Sequence, residues 1–220
     1  MLTDPAEIDI ISNARQPNVR DPKRPREPFD KIFADFLGKV DFSGQNIIDL
    51  GPGQYDFCEL VRDHGASECF AIDNDSAVVE LGHYKKITVS EANLKDLIKN
   101  PFPDQTFNGV FCKYSFNCFW FHNSENDHRA FLDALVGLMK PDGWAWLAPW
   151  NGVSKAIADQ LETIEATARI QHKIFIENGF TAYELTDDQS KKYGVHGSTF
   201  NRPVFTKNLP KVSGLEVILP

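Results

Sequence analysis

The sequence predicts an α/β fold: a doubly wound, mostly parallel sheet with helices on both faces. Three observations carry that expectation. Short aliphatic runs alternate with amphipathic helical patterns through most of the 220 residues, as in strand–crossover–strand units. A Gly51-Pro52-Gly53 turn closes the first run, IIDLGPG. An acid, Asp73, closes the second, 20 residues after Gly53. Right-handed crossovers bring the carboxyl ends of such strands to one edge, and ligands bind there where the strand order reverses.

The elements follow in order. Residues 1–28 hold few large apolar side chains, and NVRDPKRPREP sets Arg20, Lys23, Arg24 and Arg26 among three prolines. Proline fixes φ and removes a donor, so this stretch is expected to be neither helix nor inner strand. It reads as a solvated arm, or as a lid whose cations meet an anionic ligand group. The remaining domain is expected over 29–220. Phe29, Ile32, Phe33, Phe36 and Leu37 recur at helical spacing, with Gly38 as the stop. NIIDL (46–50) is the first strand, and DFCELVRDH (56–64) is a helix closed by Gly65. CFAID (69–73) is the second strand, Ser76 to Leu81 a short helix closed by Gly82, and KITVS (86–90) the third strand. NLKDLIKN reads as a helical turn and GVFCK (109–113) as the fourth strand. Ser124 with Asp127 marks a helix start, and the helix runs from Glu125 to Met139. A KPDG turn leads to the fifth strand, WAWLAPW (144–150). A long helix follows, with Ile157, Leu161, Ile164, Ala168 and Phe175 on one face and Asn178-Gly179 at its end. The tail from Thr181 alternates like further strands around a KKYGVHG loop.

Composition narrows the function classes. The net charge of −8 disfavours nucleic acid and anionic membrane as partners. No apolar run approaches a membrane span, and no apolar leader segment stands near the start, so a cytoplasmic location is expected. Cys58, Cys69, Cys112 and Cys118 lack CxxC spacing and read as buried free thiols. The histidines form no HExxH pattern, and no metal is expected.

The glycine turn admits three ligand classes. A phosphate-binding P-loop needs Gly-Lys-Ser or Gly-Lys-Thr, but Gln54-Tyr55 follows here. A dinucleotide fingerprint needs a third glycine where Asp56 stands, an acid beside the place of a pyrophosphate. A nucleoside without phosphates suits both: Asp49 can meet a cationic amino group, and Asp73 can accept from ribose hydroxyls.

At these residues the chain resembles a known family. IIDLGPGQ is similar to the first motif of class I S-adenosylmethionine-dependent methyltransferases, and AIDNDSAVVELG to their second. NPFPDQTFNGVF and LMKPDGWAWLAPWN are similar to their fourth- and fifth-strand regions. The four motifs come in the family's order over roughly residues 46–151. Tyr55 stands where the family often has a third glycine, and Asn108 replaces a usual aspartate. The resemblance implies a Rossmann-like fold with a seven-stranded sheet and S-adenosyl-L-methionine as methyl donor, with S-adenosyl-L-homocysteine as product. It implies that Gly51, Gly53 and Gln54 line the methionine part, Asp73 the ribose, and Asn74, Asn93 and Leu94 the adenine. Lys113 and Tyr114 would lie near the methionine end. The plain alternatives are a turn acid for Asp73 and a helix cap for Asn93.

Methyl transfer from a sulfonium is an in-line displacement that positioning and desolvation assist, so the acceptor side carries no fixed constellation. The segment KYSFNCFWFHNSEN (113–126) borders it. Asn117, Trp120, Trp150 and Asn151 are candidate acceptor contacts, and His122 is the candidate general base. Phe116, Phe119 and Phe121 read as core. Tyr193 and His196 are positioned in sequence to reach over the site from the late loop. The expected activity is methylation of a small molecule, at oxygen before nitrogen. The alternatives are a non-catalytic cofactor-binding module in a complex, and a protein or RNA methyltransferase.

Overall fold

A computed structural model of the chain describes residues 2–98, 107–116, 121, 124–149, 161–195 and 203–218. Eight strands form one sheet in the order β3-β2-β1-β4-β5-β7-β6-β8. They are β1 Asn46–Leu50, β2 Glu68–Asp73, β3 Thr88–Glu91, β4 Phe107–Lys113, β5 Met139–Ala148, β6 Thr181–Glu184, β7 Pro203–Lys207 and β8 Glu216–Ile218. Strands β1 to β5 pair in parallel, while β7 enters antiparallel between β5 and β6. The sheet exceeds the expected seven strands because Glu216–Ile218 pairs antiparallel on the outer edge of β6. The order turns at β1, which lies between β2 and β4, and this is the switch point at which such sheets hold ligands.

Alternation along the strands divides the core between the two faces of the sheet. Ile47, Phe111 and Trp146 face one layer, made by helices α1 (Pro5–Ser12), α3 (Glu27–Ile32), α4 (Asp56–Asp63) and α5 (Ser76–Tyr84). Ile48, Leu50, Val110 and Leu147 face the other, made by α6 (Glu125–Gly137) and α7 (Leu161–Glu177). On the first face Phe57, Phe111 and Trp146 stack in series, with centroids 3.7 and 4.9 Å apart. Phe116, expected as core, is buried on the second face against Phe131 and Phe175. Phe121 packs there against Phe131 and His128.

The structure departs from the sequence expectations at five further places. Pro17–Arg20 forms a one-turn helix, α2, with proline at its start, where a missing N–H is harmless. Ile11, Ala14 and Val19 are buried, so the arm packs on the domain rather than lying in solvent. Helix α5 runs through Gly82 to Tyr84. Helix α6 ends at Gly137, and β5 begins at Met139; the KPDG residues bulge between the Phe107–Met139 and Gly109–Trp144 pairs. That bulge is fixed from outside: Lys140 Nζ donates to Asn108 Oδ1 at 3.1 Å, and Asn208 Nδ2 donates to the Gly143 carbonyl at 2.8 Å. Lastly, Asp187–Tyr193 is a helix, α8, opened by a Thr186/Gln189 capping box. The Thr-x-x-Gln spacing announces such a start in sequence. Among the described residues, no helix is long and apolar enough to cross a membrane.

Candidate active site

The site is built where β1, β2 and β4 end side by side. Beyond Leu50 the chain turns through Gly51 at φ 76° and Gly53 at φ 59°, a backbone region that L-residues enter at a cost. The Gly51 N–H donates to the Ile72 carbonyl at 2.8 Å, which extends the β1–β2 ladder into the turn. The Ser115 hydroxyl donates to the Gly51 carbonyl at 3.1 Å from the end of β4. A side chain at Gly51 would land on Ser115, and one at Gly53 would come within 3.0 Å of Arg24 Nη1. The turn is therefore pinned on both sides, by Ser115 from β4 and by Arg24 from the arm.

Tyr55 explains the missing third glycine. It adopts φ 67°, the left-handed conformation that glycine favours. Its ring is fully buried, and its hydroxyl donates to the Val78 carbonyl at 2.9 Å. A Cβ at Gly82 would collide with that ring, so Gly82 is the socket for Tyr55 and not the end of α5.

Three acids meet at this edge. Asp49 is 2 % exposed, and burial pushes its carboxyl up to about 8; Cys58 Sγ lies 3.8 Å from Oδ2. Asp73 ends β2, and burial raises it to about 6, although its Oδ1 accepts from the Asp75 N–H at 2.9 Å. Asp56 opens α4, is raised by burial, and its Oδ2 has no hydrogen-bond partner among the described residues. Gln54 is buried with its Nε2 donating to the Val19 and Asp21 carbonyls, both at 2.7 Å. Its Oε1 has no partner among the described residues. The sequence places Gln54 against a cofactor; the structure gives its amide nitrogen to the arm.

The arm closes over this edge. The Arg15 N–H donates to Asp75 Oδ2 at 2.5 Å, and Arg24 lies 5.3 Å from the Phe29 ring centre. Lys113, at the end of β4, sets its ammonium 4.4 Å from the same ring. Burial, helped by the Arg24 charge, brings the Lys113 amine down to about 7.

The remaining sequence candidates fall into two groups. Asn74 is exposed just past β2, and Tyr114 follows β4 at φ 69°. Asn93 caps a 3-10 turn at Leu94–Ile98, its Oδ1 accepting from the Lys95 N–H at 3.0 Å. Leu94 is buried with Ile48, Leu50 and Ile72. Tyr193 does not reach over the site: it is buried, stacks edge-on with Phe36, and donates to Asp35 at 2.7 Å. His122, Asn117, Trp120, Trp150, Asn151, His196, Phe119 and Cys118 lie outside the described residues. Sequence reasoning missed Ser115, Gly82 and Phe29 as parts of the site. Gly82, set within a helical pattern, was the one legible signal, since a glycine there usually answers to close packing.

Among the described residues, no group of three His, Cys, Asp or Glu side chains could hold a metal ion. A nucleoside with a cationic amino-acid tail fits what is present. Unpartnered oxygens of Gln54 and Asp56 lie beside the glycine turn, and an acid ends β2. Residues 48–147 match the family model for a methyltransferase domain. These residues form a methyltransferase domain of the class I S-adenosylmethionine-dependent kind.

Solved structures agree on the fold of this methyltransferase. A chain from the complex of the Haloferax volcanii Trm112 methyltransferase activator with a methyltransferase matches at a TM-score of 0.56 and 16% identity. That match covers 94% of this chain and 98% of the other. The N-methyltransferase NodS from Bradyrhizobium japonicum WM9 matches at 0.50 and 12% identity, over 87% of this chain and 96% of its own. No curated protein sequence matches the chain.

Proposed function

We propose that this methyltransferase acts on a small-molecule acceptor held beneath the N-terminal arm, and that it methylates oxygen in preference to nitrogen. One observation carries the reading. A groove of about 500 Å³ opens between α3 and α8, lined by Pro25, Pro28, Lys31, Lys192 and Gly194 among others. It backs onto Lys113, whose ammonium lies 3.0 Å from where a Gly194 side chain would begin. That volume suits a small ligand. The arm, which supplies Pro25 and Pro28 to its wall, is anchored by Gln54 and Asp75, which favours a small acceptor over an open polymer groove.

Bound S-adenosylmethionine supplies an electrophilic methyl group on a sulfonium and leaves as S-adenosylhomocysteine. Asp73 would accept from the ribose hydroxyls, and Asp49 would face the amino group. Gly51 and Gly53 let the backbone lie against the methionine chain. The preference for oxygen rests on Lys113. A hydroxyl must lose a proton as it is methylated, and an amine brought near pH 7 by burial can receive it. His122 is the second candidate for that role.

The test supplies S-adenosylmethionine labelled in the methyl group to separate small-molecule, protein and RNA fractions. Label in the small-molecule fraction, in a product whose methyl resonance is that of a methoxy group or ester, supports the reading. Label in protein or RNA alone overturns it. A second reading follows from the Haloferax volcanii structure, which holds an activator protein: this chain would need a protein partner. Transfer that appears only when a partner co-purifies would favour it.

A further inference from the structure

We infer that Cys58 and Cys69 form a reversible disulfide, a covalent modification site set directly behind the glycine turn. Cys58 lies in the first turn of α4, and Cys69 is the second residue of β2, paired with Ile47 of β1. Their sulfurs are 2.7 Å apart, less than about 1 Å beyond a covalent S–S bond of about 2.05 Å. Both are free thiols in the reduced protein. The side chains of the two elements therefore already meet sulfur to sulfur.

The pair is also reachable. A groove of about 110 Å³ is lined by both cysteines, with Arg62, Glu68 and Lys86 at its sides. Cys69 is 6% exposed and Cys58 1%, so Cys69 meets an oxidant first. With a hydroperoxide, the Cys69 thiolate attacks the O–O bond, forming a sulfenic acid and releasing water or alcohol. The Cys58 sulfur then displaces hydroxide from that sulfur; the S–S bond forms, the S–O bond breaks, and the Cys58 proton leaves with the second water. The two sulfurs together lose two electrons, and the peroxide gains them. Burial holds both thiols above the ordinary range, so the reaction accelerates as pH rises.

Oxidation also reaches the cofactor end. In the reduced protein the Cys58 thiol faces Asp49 Oδ2 at 3.8 Å, and a disulfide has no S–H to offer. This second step rests on Asp49 serving as the anchor of the cofactor's amino group. The disulfide then weakens S-adenosylhomocysteine binding at neutral pH, by roughly threefold to tenfold, the share of one lost hydrogen bond.

The experiment treats the full chain with hydrogen peroxide, blocks remaining thiols under denaturing conditions, and maps the peptides by mass spectrometry. The expected result is a peptide pair joined through Cys58 and Cys69, lighter by two hydrogens and restored by dithiothreitol. Cys58→Ser and Cys69→Ser each abolish the joined pair. Both cysteines recovered alkylated, or oxidised separately to sulfonic acid, would overturn the site. Calorimetry then compares oxidised and reduced protein with S-adenosylhomocysteine, using oxidised Cys69→Ser as the control. Equal affinities in all three would overturn the link to Asp49 while leaving the mapped disulfide standing, and no binding by any of them would count against the cofactor reading instead.

Discussion

Asp49 and Lys113 give the site opposite responses to pH. The Asp49 carboxyl rises from its ordinary 3.8 to about 8 in the fold. Between those values the folded chain holds the proton more tightly than the unfolded chain, so this group makes stability fall as pH rises from about 4 to about 8. The Lys113 amine falls from 10.5 to about 7. There the unfolded chain holds the extra proton, so stability rises with pH across that window. Thermal denaturation against pH should lose its acid-side decline in Asp49→Asn and its alkaline-side gain in Lys113→Met. With Asp49 in its proposed place, the cofactor's ammonium would favour its ionised form, so affinity for S-adenosylhomocysteine should increase from pH 6 toward about 8, and Asp49→Asn should flatten that profile. Asp73 is a simpler case. Changing it to alanine should weaken S-adenosylhomocysteine by about 2–3 kcal/mol, roughly 30- to 150-fold by calorimetry, through loss of charge-assisted hydrogen bonds. Both acids were legible in sequence, one before the glycines and one at the next strand end. Their burial was not, since the arm that covers them reads as a polar, proline-broken segment.

The glycine turn and its two neighbouring helices behave as one packed element. Gly51→Ala meets a left-handed φ and the Ser115 side chain together. The expected loss in chemical denaturation is about 2–5 kcal/mol, the sum of the left-handed conformation and overpacking. Adding Ser115→Gly should recover the steric part and leave the conformational part. Gly82→Ala should cost about 1–3 kcal/mol by forcing the Tyr55 ring aside, and less in a Tyr55→Phe background, where the hydroxyl it meets is gone. Additive losses would show that Tyr55 and Gly82 do not share a contact. Strands one, two, four and five could be read from aliphatic runs because a parallel sheet covered on both faces buries most of their positions. Helix boundaries were harder. Gly82 reads as a stop because its packing partner is 27 positions away in sequence, and KPDG reads as a turn because its bulge depends on Asn108 of β4 and on Asn208 just past β7.

At the scale of the whole molecule, the sheet order sets the turn at the switch point, and the N-terminal arm makes it a closed site. The arm contributes Ile11 and Val19 to the core and two backbone carbonyls to Gln54. Removing residues 1–26 should therefore lower both stability and cofactor affinity, where a solvated tail would change neither. The parallel strands and the ligand edge at the glycine turn are legible in sequence; the eighth strand is not, because a three-residue edge strand carries little hydrophobic period, and α8 shows only through its capping residues. Calorimetric titration of the full chain with S-adenosylhomocysteine, and separately with NAD, tests the central claim most directly. The expected result is saturable binding of S-adenosylhomocysteine, lost in Gly51→Ala and weakened in Asp73→Ala, with no binding of NAD. Tight NAD binding with no response to S-adenosylhomocysteine would contradict it.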